Sequence, residues 1–205
     1  MSRPREFDRE EVLQIAERVF WRQGYQASST EDLRLAMGIG RQSFYDSFGG
    51  KRLLYLEVLR RYNDRGVEAS VATLLAASSP LSALSALLLS FSKEKPQRRS
   101  LGCMGVAAMC EFGVSDPEVA RIGRTSSARL ESLLQRVLRN AKARGEVRAS
   151  LDERAAARQL QATILGMKVL SRAGASPETL RDVALAALEG MAARWRSRAM
   201  RARAS

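Results

Sequence analysis

Residues 20–51 of the chain read FWRQGYQASSTEDLRLAMGIGRQSFYDSFGGK. Within this segment, Ser29 and Thr30 are followed by acidic residues, which is a typical beginning of a helix. Residues 38–40 form a Gly-Ile-Gly turn, and the glycines at 49–50 end a second short helix. Two short helices joined by a tight turn, and preceded by a longer helix, predict a helix-turn-helix.

The rest of the chain also reads as helical. Asp8 is a good N-cap for a first helix over about residues 9–23, and a longer helix is expected over about residues 51–75. The five prolines fall at the beginnings of helices or between them, and no segment alternates like a strand. The sequence therefore predicts an all-α fold of about nine helices, with a solvated loop at 93–99. The later helices are expected over about residues 80–91, 101–112, 117–144, 152–173 and 177–198.

The charge of the chain is strongly basic but unevenly distributed. The 205 residues carry a formal net charge of +12, which favours polyanionic partners such as nucleic acid and also serves general solubility. Residues 1–66 contain 12 Arg and Lys and 10 Asp and Glu residues, so a net charge of +10 lies in the rest of the chain. Charge alone is therefore a weak argument for DNA binding by the N-terminal helices.

The residue types that the chain lacks exclude several classes of function. There is no histidine, which removes His-based catalysis and His metal ligands. The two cysteines, Cys103 and Cys110, cannot build a zinc site unaided, and on one helix they are too far apart for a disulfide. Since a Gly-rich phosphate loop after a strand is also missing, we expect neither an enzyme nor a bound cofactor or metal.

No segment of the sequence predicts contact with a membrane. No apolar run approaches the roughly 20 residues that a helix needs to span a bilayer. Residues 1–6 lead into a charged helix without the apolar core of a signal peptide. We therefore expect a cytoplasmic protein without a membrane partner.

The glycine and aromatic positions of the N-terminal segment follow a known pattern. Residues 20–29 resemble the F-x-x-x-G-Y-x-A-T/S-S/T opening of the tetracycline-repressor (TetR) family. That resemblance implies a helix-turn-helix DNA-binding domain over residues 1–50 and a ligand-binding and dimerisation domain over residues 51–205. The family pattern continues in register through Asp32-Leu33, Gly38-Ile39, Ser43-Phe44-Tyr45 and Phe48-Gly49-Gly50-Lys51.

Side chains at the two short helices are candidates for contact with DNA. Hydroxyls and free N–H groups at a helix N-terminus can hold a phosphate, although simple capping is the alternative. The start of the third helix enters the major groove in such motifs, where Arg pairs with guanine and Gln with adenine. Phe44 and Phe48 are better core candidates than Tyr45. The predicted DNA-binding residues are Ser29, Thr30, Arg41, Gln42, Ser43, Tyr45 and Lys51.

Three positions depart from the family pattern. Gly40 stands where family members often carry Ser or Thr as the cap of the third helix. Asp46 and Ser47 occupy positions that are often His or aromatic, and Asp46 would repel a phosphate. It can instead accept from a cytosine amine or hold Arg41 or Arg52 in place. The operator sequence therefore cannot be inferred by analogy.

The last two helices are the expected dimer interface. Paired across a two-fold axis, they would form a four-helix bundle. The two DNA-binding domains of residues 1–50, here called the reading heads, would then lie on successive major grooves. The alternative is that their apolar stripes form intramolecular core. The predicted interface residues are Leu160, Ile164, Met167, Val183, Ala187, Leu188, Met191 and Trp195.

An effector pocket is expected among the central helices, because methionines suit adaptable apolar sites. A lipophilic ligand is the hypothesis, and plain core packing is the alternative. Cys103 follows a basic segment at the start of a helix, which suits a thiol that senses electrophiles or oxidants. Cys110 is expected in the core. The predicted pocket residues are Phe91, Cys103, Met104, Met109, Phe112 and Met167.

These patterns and the family resemblance predict a homodimeric transcriptional regulator. Sequence does not distinguish a repressor from an activator, but the resemblance implies a repressor that a small molecule releases from double-stranded operator DNA. A thiol-based sensing regulator that uses Cys103 is the alternative. A helical interaction protein without DNA reading is the competing class. Specific DNA binding that falls steeply with salt, and that depends on Arg41 and Tyr45, distinguishes a regulator from it.

Overall fold

The structure is a computed structural model that describes residues 7–193, and within them it contains ten α-helices, one 3-10 helix and no β-sheet. The all-α prediction is confirmed, and no helix in this range is long and apolar enough to cross a membrane. The helices are α1 (Arg9–Ala27), α2 (Thr30–Met37), α3 (Arg41–Phe48), α4 (Lys51–Leu75), α5 (Pro80–Ser90), α6 (Pro96–Leu101), α7 (Met104–Phe112), α8 (Pro117–Ala143), α9 (Glu153–Arg172) and α10 (Pro177–Glu189), with the 3-10 helix over Phe91–Lys93.

The segment before α7 differs from the sequence expectation. Residues expected to form a solvated loop contain α6, which Pro96 begins at a position where its missing N–H loses no hydrogen bond. Gly102 then adopts a φ of 67°, which ends α6. The next helix therefore begins at Met104, with Cys103 as its N-cap residue, rather than at Leu101.

The first core lies among α1, α2, α3 and the first half of α4. Phe20, Leu33 and Phe44 are almost completely buried there, and Phe48 is also buried, as the sequence predicts. Met104 of α7 belongs to the same core, as do residues at the start of α8. The N-terminal helices are therefore packed directly on the rest of the chain.

The second core lies among α5, α8, α9 and α10. It corrects the predicted dimer interface, because most of the residues named for that interface are covered by their own chain. Val183 is partly buried against the same core, and Trp195 lies outside the described residues. The residues that are buried as intramolecular core are Leu160, Ile164, Met167, Ala187, Leu188 and Met191.

Helices α4 and α8 run side by side in the same direction. Arg52, in the first turn of α4, forms an ion pair with Asp116, the N-cap residue of α8. Further along, Asp64 of α4 forms an ion pair with Arg129 of α8. Both helices therefore start at the N-terminal core and extend away from it into the second core.

Candidate DNA-reading surface and effector cavity

The second helix begins with a reciprocal cap. The Ser29 hydroxyl accepts a hydrogen bond of 2.9 Å from the backbone N–H of Asp32 and donates one of 2.6 Å to its carboxylate. The pKa of Asp32 is lowered, first because Ser29 donates to the charged carboxylate. The capping function expected for Ser29 is therefore present, and Thr30 follows it as the first residue of α2.

Helix α3 turns a polar face outward. Arg41, Gln42 and Tyr45 are exposed, with Tyr45 at 44% of its maximum, whereas Ser43 is half-buried. Gln42 donates a hydrogen bond of 2.7 Å to the carboxylate of Asp46. Asp46 therefore holds Gln42 rather than Arg41 or Arg52, which corrects that part of the sequence interpretation.

Lys51 occupies the first position of α4 beside an aromatic side chain. Its ammonium group lies 4.2 Å from the centre of the Tyr25 ring, and the side chain is half-buried. The ring in turn packs against Tyr55, at 5.0 Å between ring centres. The aromatic contact limits the directions that the Lys51 side chain can take at the start of α4.

Helix α7, one of the helices after α4 that form the body of the protein, fixes the kink in α1. Gly24 adopts φ 79° and ψ 178°, a conformation open essentially to glycine, and interrupts the helical hydrogen bonds. Glu111 of α7 accepts hydrogen bonds from the two backbone N–H groups that follow, 3.0 Å from Tyr25 and 2.7 Å from Gln26. Sequence reasoning missed Glu111, because no local signal links it to a turn 86 residues away.

An acidic cluster at the start of α8 holds the start of α4. Arg52 pairs with Asp116 and, at 2.7 Å, with Glu118. The Arg52 guanidinium and the first N–H groups of α8 lower the pKa of Asp116 to about 2. This ion pair, like the Glu111 contact, connects the reading head to the helices behind it.

A cavity of about 780 Å³ lies where α1 and α4 meet α5, α7, α8 and α9. Of the residues predicted for an effector pocket, Phe91, Cys103 and Met109 line this cavity. Met104, Phe112 and Met167 do not line it. Met104 and Phe112 pack in or against the first core, and Met167 is buried in the second, so each fills space between helices instead.

Trp21 brings the reading head into the cavity wall. Its indole N–H donates a hydrogen bond of 3.3 Å to the carbonyl of Gly102, in the break between α6 and α7. The ring lies edge-on to Tyr62 at 5.1 Å and carries the Arg98 guanidinium over its face, also at 5.1 Å. Together with Glu17, Trp21 makes α1 part of the wall.

Cys103 lies in the same wall and is only 8% exposed. Tyr62 lines the same wall. Burial raises the pKa of Tyr62, and the neighbouring thiol raises it further. Cys110 is exposed on α7, which corrects its predicted place in the core.

Comparisons with known proteins agree with this geometry. A family model described as "Bacterial regulatory proteins, tetR family" matches residues 12–58, and one described as "Tetracyclin repressor-like, C-terminal domain" matches residues 78–188. The second match alone spans more than half of the chain. The chain belongs to the TetR family.

Individual relatives of this TetR protein align over most of their length. The uncharacterized HTH-type transcriptional regulator YezE of Bacillus subtilis is 33% identical over 89% of this chain and 95% of its own length. The HTH-type transcriptional repressor ComR of Escherichia coli is 32% identical, over 89% and 88%. The regulator CifR, solved as a cysteine mutant with a 26-base-pair operator duplex, is 27% identical with a TM-score of 0.79 and covers 93% of this chain and 100% of its own. The resemblance read from the sequence is therefore confirmed, and the chain is a DNA-binding transcriptional regulator.

The cavity of this TetR protein is more polar than the lipophilic hypothesis assumes. Aromatic and aliphatic side chains such as Phe91 share the wall with charged groups of α4 and α9, among them Glu68 and Lys168. Within residues 7–193, the buried hydroxyl of Ser171, also in the wall, has no hydrogen-bond partner. The sequence did not predict that these polar residues line a cavity, because a polar side chain on a helix is ordinarily interpreted as facing solvent.

Proposed function

We propose that this regulator is a homodimeric repressor that a small molecule, bound in the cavity, releases from operator DNA. The observation that supports it best is the composition of the cavity wall. Glu17 and Trp21 belong to α1 of the reading head, whereas Phe91 and Cys103 belong to the body. A ligand there touches both parts at once, so its binding depends on how the head sits on the body.

The ligand acts by differential affinity. A ligand shifts an equilibrium between two head positions only as far as it binds one of them more tightly. A bulky ligand in the cavity meets the junction between α1 and the body. At this junction Trp21 donates a hydrogen bond to Gly102 and contacts Arg98. We propose an amphiphilic ligand, because aromatic residues share the wall with the Ser171 hydroxyl, which has no hydrogen-bond partner among residues 7–193.

The same proposal gives the outward residues of the head their roles. Arg41, Gln42 and Tyr45 read base edges in the major groove, since their side chains are exposed on α3. Ser43 supports them from the same turn. The phosphate contacts come from the helix start at Ser29 and Thr30 and, as a point charge, from Lys51.

The dimer forms through the outward faces of α9 and α10 rather than through their buried stripes. On α9 this face presents Ala162, Gly166, Val169 and Leu170, of which Val169 is 51% exposed. Small residues let two such helices approach closely and leave the heads to occupy half-sites about 34–36 Å apart. Val169→Glu is expected to shift the protein from dimer to monomer in sedimentation experiments, whereas Val114→Glu, the same change at an exposed position between α7 and α8, should leave the dimer intact.

The cavity proposal is tested by filling the cavity. A Cβ at Gly123 of α8 meets nothing within 4 Å, and this residue lines the cavity, so Gly123→Phe places a ring inside it. A panel of amphiphilic compounds is screened by thermal shift, where a ligand at about 100 times its Kd adds roughly 2.7 kcal/mol of stability. A hit should lower affinity for a duplex selected from a random library, and Gly123→Phe should abolish both effects. Ala128→Phe, on the outer face of α8, is the control. A compound that has the same effects on Gly123→Phe as on wild type overturns the proposal.

The second candidate function is covalent sensing by Cys103, favoured by its place in the cavity wall, where a ligand can reach it. In this reaction the thiol sulfur adds to the β-carbon of an α,β-unsaturated carbonyl compound. The S–C bond forms, the carbon–carbon π bond breaks, and the thiol proton ends on the α-carbon. Cys103→Ser should abolish both the adduct seen by mass spectrometry and the release of DNA, whereas the exposed Cys110→Ser should preserve both. DNA release that persists in Cys103→Ser contradicts this candidate.

A further inference from the structure

Four arginines lie on the outer face of α8, outside the reading head of the regulator. Arg121, Arg124, Arg136 and Arg139 are all exposed. Arg121 and Arg139 are five helical turns apart and so lie on one line along the helix. Arg124 and Arg136 lie about 60° around the helix to either side of that line. The four guanidinium groups therefore form one stripe along the helix.

This stripe has no acidic counterpart within residues 7–193. None of the four arginines makes an ion pair or a side-chain hydrogen bond there. The glutamates of α8 are already engaged at its edges, Glu118 with Arg52 and Glu131 with Arg158. Arg121 and Arg124, like Arg136 and Arg139, are like charges three residues apart, an arrangement that destabilises a helix.

The surface between α1 and α4 shows the contrast. Arg9 pairs there with Glu57 at 2.6 Å, Arg61 pairs with Glu10, and Arg65 pairs with Glu17. These three arginines between α1 and α4 are thus neutralised by acids. The excess of +10 that the sequence carries after residue 66 is concentrated in part on the α8 stripe.

The chemistry of the stripe fits a phosphate backbone. Between the arginine pairs lie Thr125, Ala128 and Ser132, which offer neither an apolar patch for a protein nor an apolar wedge for a membrane. Guanidinium groups bind phosphates in a bidentate manner. The stripe spans roughly 27 Å, less than one turn of a DNA duplex, so all four groups can reach one duplex.

The direction of α8 separates this surface from the reading head. Asp116 lies beside Arg52 at the head, and α8 runs away from it parallel to α4. Arg139 is 23 residues beyond Asp116 and hence roughly 34 Å from the head end. A duplex held by α3 cannot contact the whole stripe.

We infer that the arginine stripe of α8 is a second, sequence-independent DNA-binding surface, which holds a duplex other than the one read by α3. The inference rests on DNA binding by the family and not on the proposed effector. A protein with both surfaces joins two duplexes, which raises the local concentration of DNA around the reading head.

The test is a bridging assay with duplexes of arbitrary sequence. One 30-base-pair duplex is fixed to beads, and capture of a second, fluorescent duplex by bead-bound protein is measured from 50 to 200 mM salt. The stripe variant combines Arg121→Gln, Arg124→Gln, Arg136→Gln and Arg139→Gln. The matched control, Lys93→Gln, Arg144→Gln, Arg154→Gln and Arg181→Gln, removes the same charge at exposed positions elsewhere.

Wild type and control are expected to bridge, and the stripe variant is expected to lose more than nine-tenths of the captured duplex while remaining folded by circular dichroism. A head variant, Arg41→Ala with Tyr45→Ala, should still bind a single duplex with a salt slope of about −3 to −4, as four phosphate contacts require. Bridging by the stripe variant equal to that of the control overturns the inference, and so does a head variant that binds no DNA. Failure of operator reading alone appears instead as loss of sequence preference, which this assay does not measure.

Discussion

The carboxylate of Glu111 accepts a hydrogen bond of 3.0 Å from the backbone N–H of Tyr25. The first residue lies on α7 of the body and the second on α1 of the reading head, directly after the kink at Gly24. The N–H groups freed by the kink thus find their acceptor in another part of the chain. Helix α7 also carries Met109 in the cavity wall, so one helix contacts both the cavity and the head.

Glu111→Gln should loosen the end of α1. It replaces charge-assisted hydrogen bonds by neutral ones at an exposed site, which is expected to cost about 1 kcal/mol in the free energy of unfolding. Chemical denaturation measures the loss, and hydrogen exchange should show faster exchange at Tyr25 and Gln26. Glu189→Gln removes the same charge from an exposed helix end and should stay within about 0.5 kcal/mol of wild type. Equal exchange rates in the two variants would show that Glu111 does not fix the kink.

Gly24→Ala and Gly66→Ala are expected to change stability in opposite directions. At Gly24 the φ of 79° disfavours any side chain, and a Cβ would lie 3.2 Å from the Glu111 carboxylate, so a loss of about 1–3 kcal/mol is expected. Gly66 lies inside α4 with nothing within 4 Å of a Cβ, and alanine there should add about 0.5–1 kcal/mol. Thermal unfolding measures both, and a stabilising Gly24→Ala would contradict the observed kink.

Asp116→Asn should make the protein less stable at neutral pH but not at very low pH. Asparagine still caps α8, so the variant removes mainly the ion pair with Arg52. The folded pKa of about 2 lies below the ordinary value of 3.8. The stabilisation is therefore fully present above the unfolded pKa and is lost as the pH falls through the folded pKa. Denaturation curves of wild type and variant should converge between pH 4 and about pH 2, and a constant difference over this range would rule out a titrating Asp116.

Changes in the reading head should separate base reading from phosphate contact. Arg41→Ala is expected to weaken binding to a selected duplex by about 1–3 kcal/mol and to relax the preference at one base position. Lys51→Gln should weaken binding to all sequences and reduce the salt slope by about 1. Fluorescence anisotropy against salt concentration measures both, with the exposed Arg60→Gln of α4 as the control. A sequence-dependent effect of Lys51→Gln would contradict its role as a phosphate contact.

Local patterns predicted much of the fold. The bounds of α4, from Lys51 to Leu75, follow from the paired glycines before it and from helical periodicity after it. The inward positions of Phe44 and Phe48 follow from their spacing of four residues. The family was recognised from glycine, aromatic and lysine positions within residues 20–51, which the comparisons confirm.

The contacts between distant helices could not be predicted in the same way. Periodicity finds the apolar side of α9, but it does not say whether Leu160 faces the same chain or a partner, and the second core covers it. Met104 and Phe112 suited a pocket by residue type, yet they fill the junction between head and body. Trp21 entered no sequence argument about ligands, because only the packing of α1 on α7 brings it to the cavity.

The shared wall of the cavity restricts how the preference for the proposed effector can diverge among descendants of this chain. Substitution at Glu17 or Trp21 changes both the packing of α1 on the body and the chemistry of the cavity wall, so selection acts on two traits at once. Substitution at Phe91 or Leu165 alters the body side of the wall alone. Under the proposed effector binding, new effector specificities should therefore arise by substitution on the body side, whereas the α1 side should vary less because it also positions the reading head.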